Sequence, residues 1–396
     1  MTRSLIIALA LATAGAYAQN KPVTDAQVRK VHKSAILIDT HNDVTGRTVE
    51  GFDIGKPSTE THTDLPRMKQ GGMTAQFFAV YVAASYVEGN RSAHRTLEMI
   101  DTVKRDIAAR YPNDFTFAVT ADDIVKAKKR GRIAALMGIE GGHAIEDSPR
   151  LLRTYYDLGI RYMTLTHSND NSWAGSSGSR ENKGLNDLGK QVVAEMNRLG
   201  MMVDISHVSD RTFWDVLDVS KAPPFASHSS CRSLSNIPRN MTDEMISALA
   251  KKGGVVQINF GCEFLSKKSA DSSPMNNPKL MAEAREKLAG IKEPRERRAA
   301  MRKMFEEMGA STVRANLADV VAHIDHIRKV AGIDAIGIGS DFDGVGCVPE
   351  GLASVAEFPN LTRALLEKGY TAADIRKIYG GNLLRVMRAV ERAAQQ

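Results

Sequence analysis

The 396-residue sequence predicts an α/β chain folded as a closed (β/α)8, or TIM, barrel, and three observations predict it. Eight short apolar runs can be placed as strands, several apolar throughout, as in a parallel sheet covered on its outer side. Helical patterns lie between them. Histidines and carboxylates fall at the carboxyl ends of successive runs, where such barrels build their sites.

In chain order the runs are 35–39, 74–81, 133–139, 160–166, 201–205, 224–227, 254–260 and 335–339. Between them, 185–199 repeats apolar residues at helical spacing and Gly200 follows as a stop. Residues 211–219 and 243–252 behave alike. Two stretches exceed a minimal barrel. Residues 88–119 read as a long helix and a short extra strand. Residues 262–331 form an excursion before the last strand, and its middle, 279–308, is rich in Ala, Glu, Lys and Arg and is predicted helical. Residues 354–394 read as two or three closing helices.

The first residues combine Arg3, an apolar stretch over 5–14 and the A-x-A site Ala16-Tyr17-Ala18. That is the pattern of a secretory signal peptide, 1–18, too short for a membrane span. It leaves 19–396 as one catalytic domain, exported to a periplasm or secreted. No later segment is long and apolar enough to cross a bilayer, and the polar end 387–396 is no lipid-anchor signal. The three cysteines allow at most one internal bridge. Cys231 reads as a small packing residue rather than a nucleophile. The net charge is +7, but its basic excess is interspersed with acid over 283–307. That is a solvated helix face, not a nucleic-acid groove.

The chemistry gathers at the strand ends. His41 and Asp43 lie two apart at the close of the first run, and alternate residues of a strand share a face. Glu140 ends the third run and precedes Gly141-Gly142. His167, His207 and His228 each sit just beyond another run. One histidine so placed is ordinarily structural. Four, with Asp43 and Glu140, suit zinc or a similar first-row ion, and suffice for two ions if one carboxylate bridges. Glu140 is the natural bridge, because its strand lies between the two histidine groups. Asp39 reads as an outer carboxylate orienting His41. Trp173 reads as a pocket wall and His143 as a neighbour of the site. His323 and His326, three apart on a predicted helix, read as a solvated face before a metal pair. His32, His62 and His94 have no identifiable partners. Asp341 reads equally as a functional group and as a turn residue of Ser340-Asp341-Phe342-Asp343-Gly344.

The segments Ile38-Asp39-Thr40-His41-Asn42-Asp43, Gly138-Ile139-Glu140-Gly141-Gly142, Leu165-Thr166-His167-Ser168-Asn169, Asp204-Ile205-Ser206-His207-Val208-Ser209 and Ser227-His228-Ser229-Ser230 resemble the membrane (renal) dipeptidase family. So do Pro238-Arg239-Asn240 and Gly339-Ser340-Asp341-Phe342-Asp343-Gly344. They stand in family order across nearly the whole mature chain. The resemblance implies a barrel of the metal-dependent amidohydrolase type and an exported zinc dipeptidase with two Zn2+ per chain. By it, His41 and Asp43 hold one ion, His207 and His228 the other, and Glu140 bridges them. His167 contacts substrate, Arg239 receives the dipeptide carboxylate and Asp341 handles the proton. Broad dipeptide hydrolysis is implied, with tolerance of a C-terminal D-residue and β-lactam opening in some members. Mammalian members carry a lipid-anchor signal and more cysteines, so their covalent dimer does not carry over, although a homodimer fits the family.

The chemistry is coherent in itself. Two ions sharing a water lower its pKa toward about 7, and the hydroxide attacks the peptide carbonyl. His167 can donate to the oxyanion. Arg239 offers a planar fork to a carboxylate. Asp341 can carry the proton to the leaving amine. The competing readings are another barrel hydrolase, acting on an N-acyl amino acid, lactone, phosphoester or β-lactam, and a silent binding protein. Arg239 argues for a substrate with a free carboxylate. Glu140 stands where many such barrels place a carboxylated lysine. A silent protein would be expected to have lost a ligand or Asp341.

Overall fold

The computed structural model describes residues 22–394, so the expected leader 1–18 lies outside the described residues. Nine strands occur among them: β1 Ile38–Asn42, β2 Ala75–Tyr81, β3 Phe115–Phe117, β4 Ile133–Glu140, β5 Ile160–Thr164, β6 Met202–Asp204, β7 Ala226–Ser229, β8 Val256–Ile258 and β9 Ile336–Ile338. All pairings between them are parallel. The ladders run β1-β2-β4-β5-β6 and β7-β8-β9. Single bridges, Asp204 with Phe225 and Asn42 with Phe342, join these two sheets at both edges. The result is the predicted eight-stranded closed barrel, with two seams, β6/β7 and β9/β1, where the ladder thins to isolated bridges. The short β3 pairs only with the start of β4 and is the expected extra strand.

All eight predicted runs become strands, with one shift of consequence. The first begins at Ile38 rather than Ala35. Thr24 caps a helix, Asp25–Ser34, and residues 35–37 carry the chain from its end to the barrel. His41 therefore lies inside β1 and His228 inside β7, not beyond them.

Register aligns the inward positions. Ala75, Phe77, Ala79 and Tyr81 of β2 face Ala134, Leu136, Gly138 and Glu140 of β4. Tyr162 and Thr164 continue these last two layers on β5, and Asp204 follows Thr164 on β6. The apolar layers fill the barrel and the polar one caps it, so Glu140 stands at the carboxyl end. Helices begin just after the loops that carry the site. Asn186, Ser209 and Thr242 cap Asp187–Leu199, Asp210–Val219 and Asp243–Lys251 through side-chain oxygens. Each such cap contributes about 1 kcal/mol.

The excursion is helical as expected, in Pro278–Ala289 and Pro294–Ser311. Its root is closed by a Cys262–Cys347 disulfide, and Cys231 is the buried free thiol. Its second long helix docks beside the barrel's carboxyl end. Arg298 and Arg302 donate to the two oxygens of Glu50 at 2.9 and 2.7 Å, and Arg298 reaches the Tyr86 hydroxyl at 2.9 Å. Three helices close the chain: Phe358–Glu367, Ala372–Arg376 and Asn382–Ala393.

Candidate active site

Five side chains converge at the carboxyl end of the barrel. Glu140 Oε1 lies 2.9 Å from His207 Nε2 and 3.3 Å from His228 Nε2. Glu140 Oε2 lies 3.5 Å from His41 Nε2, which is 3.2 Å from Asp43 Oδ2. The two oxygens of one buried carboxylate thus face two separate groups. Asp43 arrives by a different route from the one predicted. Its backbone has turned (φ −97°, ψ 10°) to start the helix Val44–Thr48, and that turn, not strand alternation, brings its carboxylate back to His41.

Hydroxyls behind the imidazoles fix their orientation. The Tyr162 hydroxyl donates to the Thr40 carbonyl at 3.0 Å, so at His41 Nδ1, also 3.0 Å away, it must accept. This directs the other nitrogen, the buried Nε2, at Asp43 and Glu140. Tyr162 reaches His41 because the facing residue is Gly138, where a Cβ would fall 2.0 Å from its ring. At the other group, His207 Nε2 and His228 Nε2 face each other at 3.0 Å.

The electrostatics ask for a cation. Burial opposes charge on His41, yet its neighbours, the Glu140 and Asp43 carboxylates among them, outweigh it and hold its pKa well above the usual value. Burial, with the positive charge of Arg239 nearby, holds His207 and His228 well below theirs. Burial also works against the Glu140 carboxylate, but His41, His167, His207 and His228 together keep its pKa well below the ordinary value. The proton that the carboxylates hold on His41 is one that an ion would displace, while His207 and His228, uncharged, bring their Nε2 atoms to Glu140. The backbone of Gly344 packs close against these carboxylates: a Cβ there would sit 2.4 Å from both Asp43 Oδ2 and Asp341 Oδ1, so only glycine fits. The donors, imidazole and carboxylate, fit zinc or a similar first-row ion. Grouped by mutual distance within 4.8 Å, the candidate ligand atoms form three sets: His41, Glu140 and His228; Glu140, His167 and His207; His41, Asp43 and Asp341. These sets place His167 and Asp341 among the candidate ligands, a wider circle than the sequence suggested.

His167, Arg239 and Asp341 border this cluster. His167 Nε2 is 3.8 Å from Glu140 Oε1, and its ring lies against Tyr81 and His207. Burial lowers its pKa to about 4, so near neutral pH it is an uncharged donor. Arg239 donates to the His228 carbonyl at 2.7 Å and to Ser229 Oγ at 2.8 Å, while its Nε is buried without a partner. Asp341 accepts from Asn259 Nδ2 at 2.7 Å, and burial drives its carboxyl well above the usual range. His207 and Asp341 both hold left-handed backbone, φ 66° and 61°. Such conformations in non-glycine residues cluster at functional sites.

Several expectations are corrected. Asp39 does not touch the His41 ring. It accepts from the backbone N–H of His41 and from Ser340, and Tyr162 orients the imidazole instead. His323 is fully buried, not on a solvated face, because the root of the excursion packs over its helix. It accepts from Cys231 N and contacts the Leu265 carbonyl, while His326 pairs with Asp243 at 2.7 Å. His32 and His62 do have partners, the Gly71 carbonyl and Asp343. Trp173 is buried against Gly142 and does wall a cleft, but one shared with Asn171, Asn186 and Asp215 and not with the five converging side chains. His143 packs behind the Glu140 turn and is tied to the Val82 carbonyl. Cys231 is buried and its thiol pushed far up by burial, as befits a packing residue. The sequence reading missed Tyr162, Ser227, Asp204 and Asn259. Only their places at or beside strand ends hinted at them.

Comparison with known proteins agrees with the geometry. Residues 25–396 match the model of the membrane dipeptidase family, peptidase family M19. A protein of Schizosaccharomyces pombe described as an uncharacterized dipeptidase is 35% identical, over 96% of this chain and 86% of its own. The probable dipeptidase PvdM from Pseudomonas aeruginosa superposes with a TM-score of 0.79 at 26% identity, covering 93% of this chain and 98% of that one. A metallo peptidase from Rhodobacter sphaeroides, liganded with a phosphinate mimic of the dipeptide L-Ala-D-Ala, gives a TM-score of 0.73 at 25% identity, over 90% of this chain and 99% of that one. The chain belongs to the membrane dipeptidase family, peptidase family M19, and is a hydrolase of that metallo-dipeptidase family.

Proposed function

We propose that this protein is an exported dinuclear zinc dipeptidase, one catalytic domain released from its leader, acting on free dipeptides that include those with a C-terminal D-residue. The observation that carries it is the single buried Glu140 presenting one oxygen to His41 and Asp43 and the other to His207 and His228. In this reading those five residues hold two Zn2+. Bound there, the ions supply an activated water and polarise the scissile carbonyl.

The chain's own residues supply the rest. Arg239, held on the His228 carbonyl, keeps a buried Nε without a partner, and a substrate carboxylate would meet it in a charge-assisted bond. Neutral His167 can donate to the carbonyl oxygen as it gains charge. Asp341, oriented by Asn259, can take a proton on its carboxylate and return it to the leaving nitrogen. The L-Ala-D-Ala mimic bound by the Rhodobacter neighbour supports tolerance of a D-residue. The Cys262–Cys347 bridge supports export, because structural disulfides persist in oxidising compartments. Among the described residues no helix is long and apolar enough to cross a membrane. A homodimer is in keeping with the family.

The test is a panel of dipeptides of all four stereochemical pairings, each as free acid and as C-terminal amide, assayed with zinc and after chelation. Free acids, D-terminal ones included, are expected to be cleaved and amides to be poor substrates. Chelation should abolish turnover and zinc restore it. Full activity of metal-free protein would overturn the reading. N-terminal sequencing of exported protein should begin near Gln19, and a retained Met1 would refute the leader.

A further inference from the structure

Both seams of the barrel are closed by the same device. At β9/β1, buried Asp39 accepts from Ser340 N at 2.8 Å, Ser340 Oγ at 2.6 Å and His41 N at 3.3 Å. At β6/β7, buried Asp204 accepts from Ser227 N at 2.8 Å, Ser227 Oγ at 2.5 Å and Ser206 N at 3.0 Å. In each case an aspartate beside the seam takes the N–H and the hydroxyl of a serine across it, together with the backbone N–H two residues on in its own segment of chain. The carboxylate replaces ladder bonds that the seam lacks.

The two devices differ in what their side chains meet beyond the seam. Ser340 Oγ meets only backbone beyond Asp39, at His41 O and Phe342 N. Ser227 Oγ also lies 2.7 Å from His228 Nδ1. Asp204 Oδ2 receives two hydroxyls, from Ser227 and from Thr164, also at 2.5 Å. A carboxylate has only lone pairs to offer, so the Ser227 proton is committed to it. Ser227 must then accept from His228 Nδ1–H. That leaves His228 Nε2 with its lone pair toward Glu140 and His207.

We propose that Asp204, acting through the Ser227 hydroxyl, is a positioning residue that dictates which His228 nitrogen carries the proton, and so tunes metal affinity in the half of the centre holding His207 and His228. Its counterpart Asp39 secures the opposite seam without touching an imidazole. The inference rests on the metal-centre reading above. It goes further, in giving the seam carboxylates unequal work.

The experiment compares wild-type full-length protein with Ser227→Ala, Ser227→Thr and Ser340→Ala. Stepwise Zn2+ affinities are read by competition with a chromophoric chelator, and melting of the metal-free proteins is followed by circular dichroism. Loss of such an outer hydrogen bond commonly costs about 10–100-fold in metal affinity. Ser227→Ala should therefore weaken one of two Zn2+ steps by about that factor, and Ser227→Thr, which restores a hydroxyl, should recover most of it. Ser340→Ala should lower the melting temperature while leaving both steps near wild type. Unchanged affinities in Ser227→Ala, or an equal loss in Ser340→Ala, beside a wild type that binds two ions, would overturn the proposal alone. A wild type that takes up no Zn2+ would overturn the metal-centre reading and this proposal together.

Discussion

Glu140→Gln is expected to strip the protein of tightly held metal and to abolish dipeptide hydrolysis while the barrel stays folded. The substitution keeps the volume of a fully buried side chain and exchanges one oxygen for an amide nitrogen. Whichever way the amide turns, two N–H donors replace a lone-pair site on one of the two groups. If they face His207 and His228, they satisfy the imidazole nitrogens now 2.9 and 3.3 Å from Oε1. If they face His41, that imidazole loses the carboxylate oxygen it now meets across 3.5 Å. Either arrangement removes a lone-pair site that an ion would need, and a formal charge is lost from the ligand set. Neutralising one member of a buried ionic cluster costs stability, so the metal-free variant is expected to melt at a lower temperature than the metal-free wild type while still folding. Metal content after dialysis should fall from about two ions per chain, by the ligand count, to near none. Two tightly held ions in the variant would show that Glu140 is not the bridge.

Asp341→Asn should cripple turnover while leaving metal content and KM near wild type. Asparagine accepts left-handed backbone as readily as aspartate, so φ 61° at this position is no obstacle. Its amide oxygen can still receive the Asn259 donor, which holds Asp341 at 2.7 Å. What disappears is a carboxyl able to take up and release a proton beside the cluster. General acid–base assistance of this kind is worth about 10²–10⁴ in rate. The loss should appear in kcat, measured on the best free dipeptide of the panel. Should the variant instead lose one ion, Asp341 is a ligand, in line with its grouping with His41 and Asp43.

The barrel was legible because each of its eight strands is an apolar run set off by polar or glycine-rich punctuation, and a barrel gathers ligand-type residues from successive run ends into one site. His41, Glu140, His207 and His228 could be found from that position alone. The supporting atoms could not. Tyr162 reaches His41 across the barrel over 121 residues of sequence, and only a closed sheet brings them together. Asp204 is one carboxylate among many until β7 is seen beside β6. His323 misled because its helix carries polar residues at the right spacing for an exposed face, while the excursion buries it. Asp43 was rightly paired with His41 for the wrong geometric reason, since strand periodicity and a tight turn can deliver the same neighbour.

The Cys262–Cys347 bridge makes the chain partly redundant as a covalent thread. It spans 85 residues, a loop that contains the whole excursion, β9 and Asp341. A protease nick anywhere inside that loop would yield two polypeptides that still travel as one molecule until a reductant is added. The same arrangement makes the turns between the excursion's helices the natural place to open the chain, whether for a circular permutant or for a grafted module. The ends created there would stay leashed to the barrel through the far side of the disulfide.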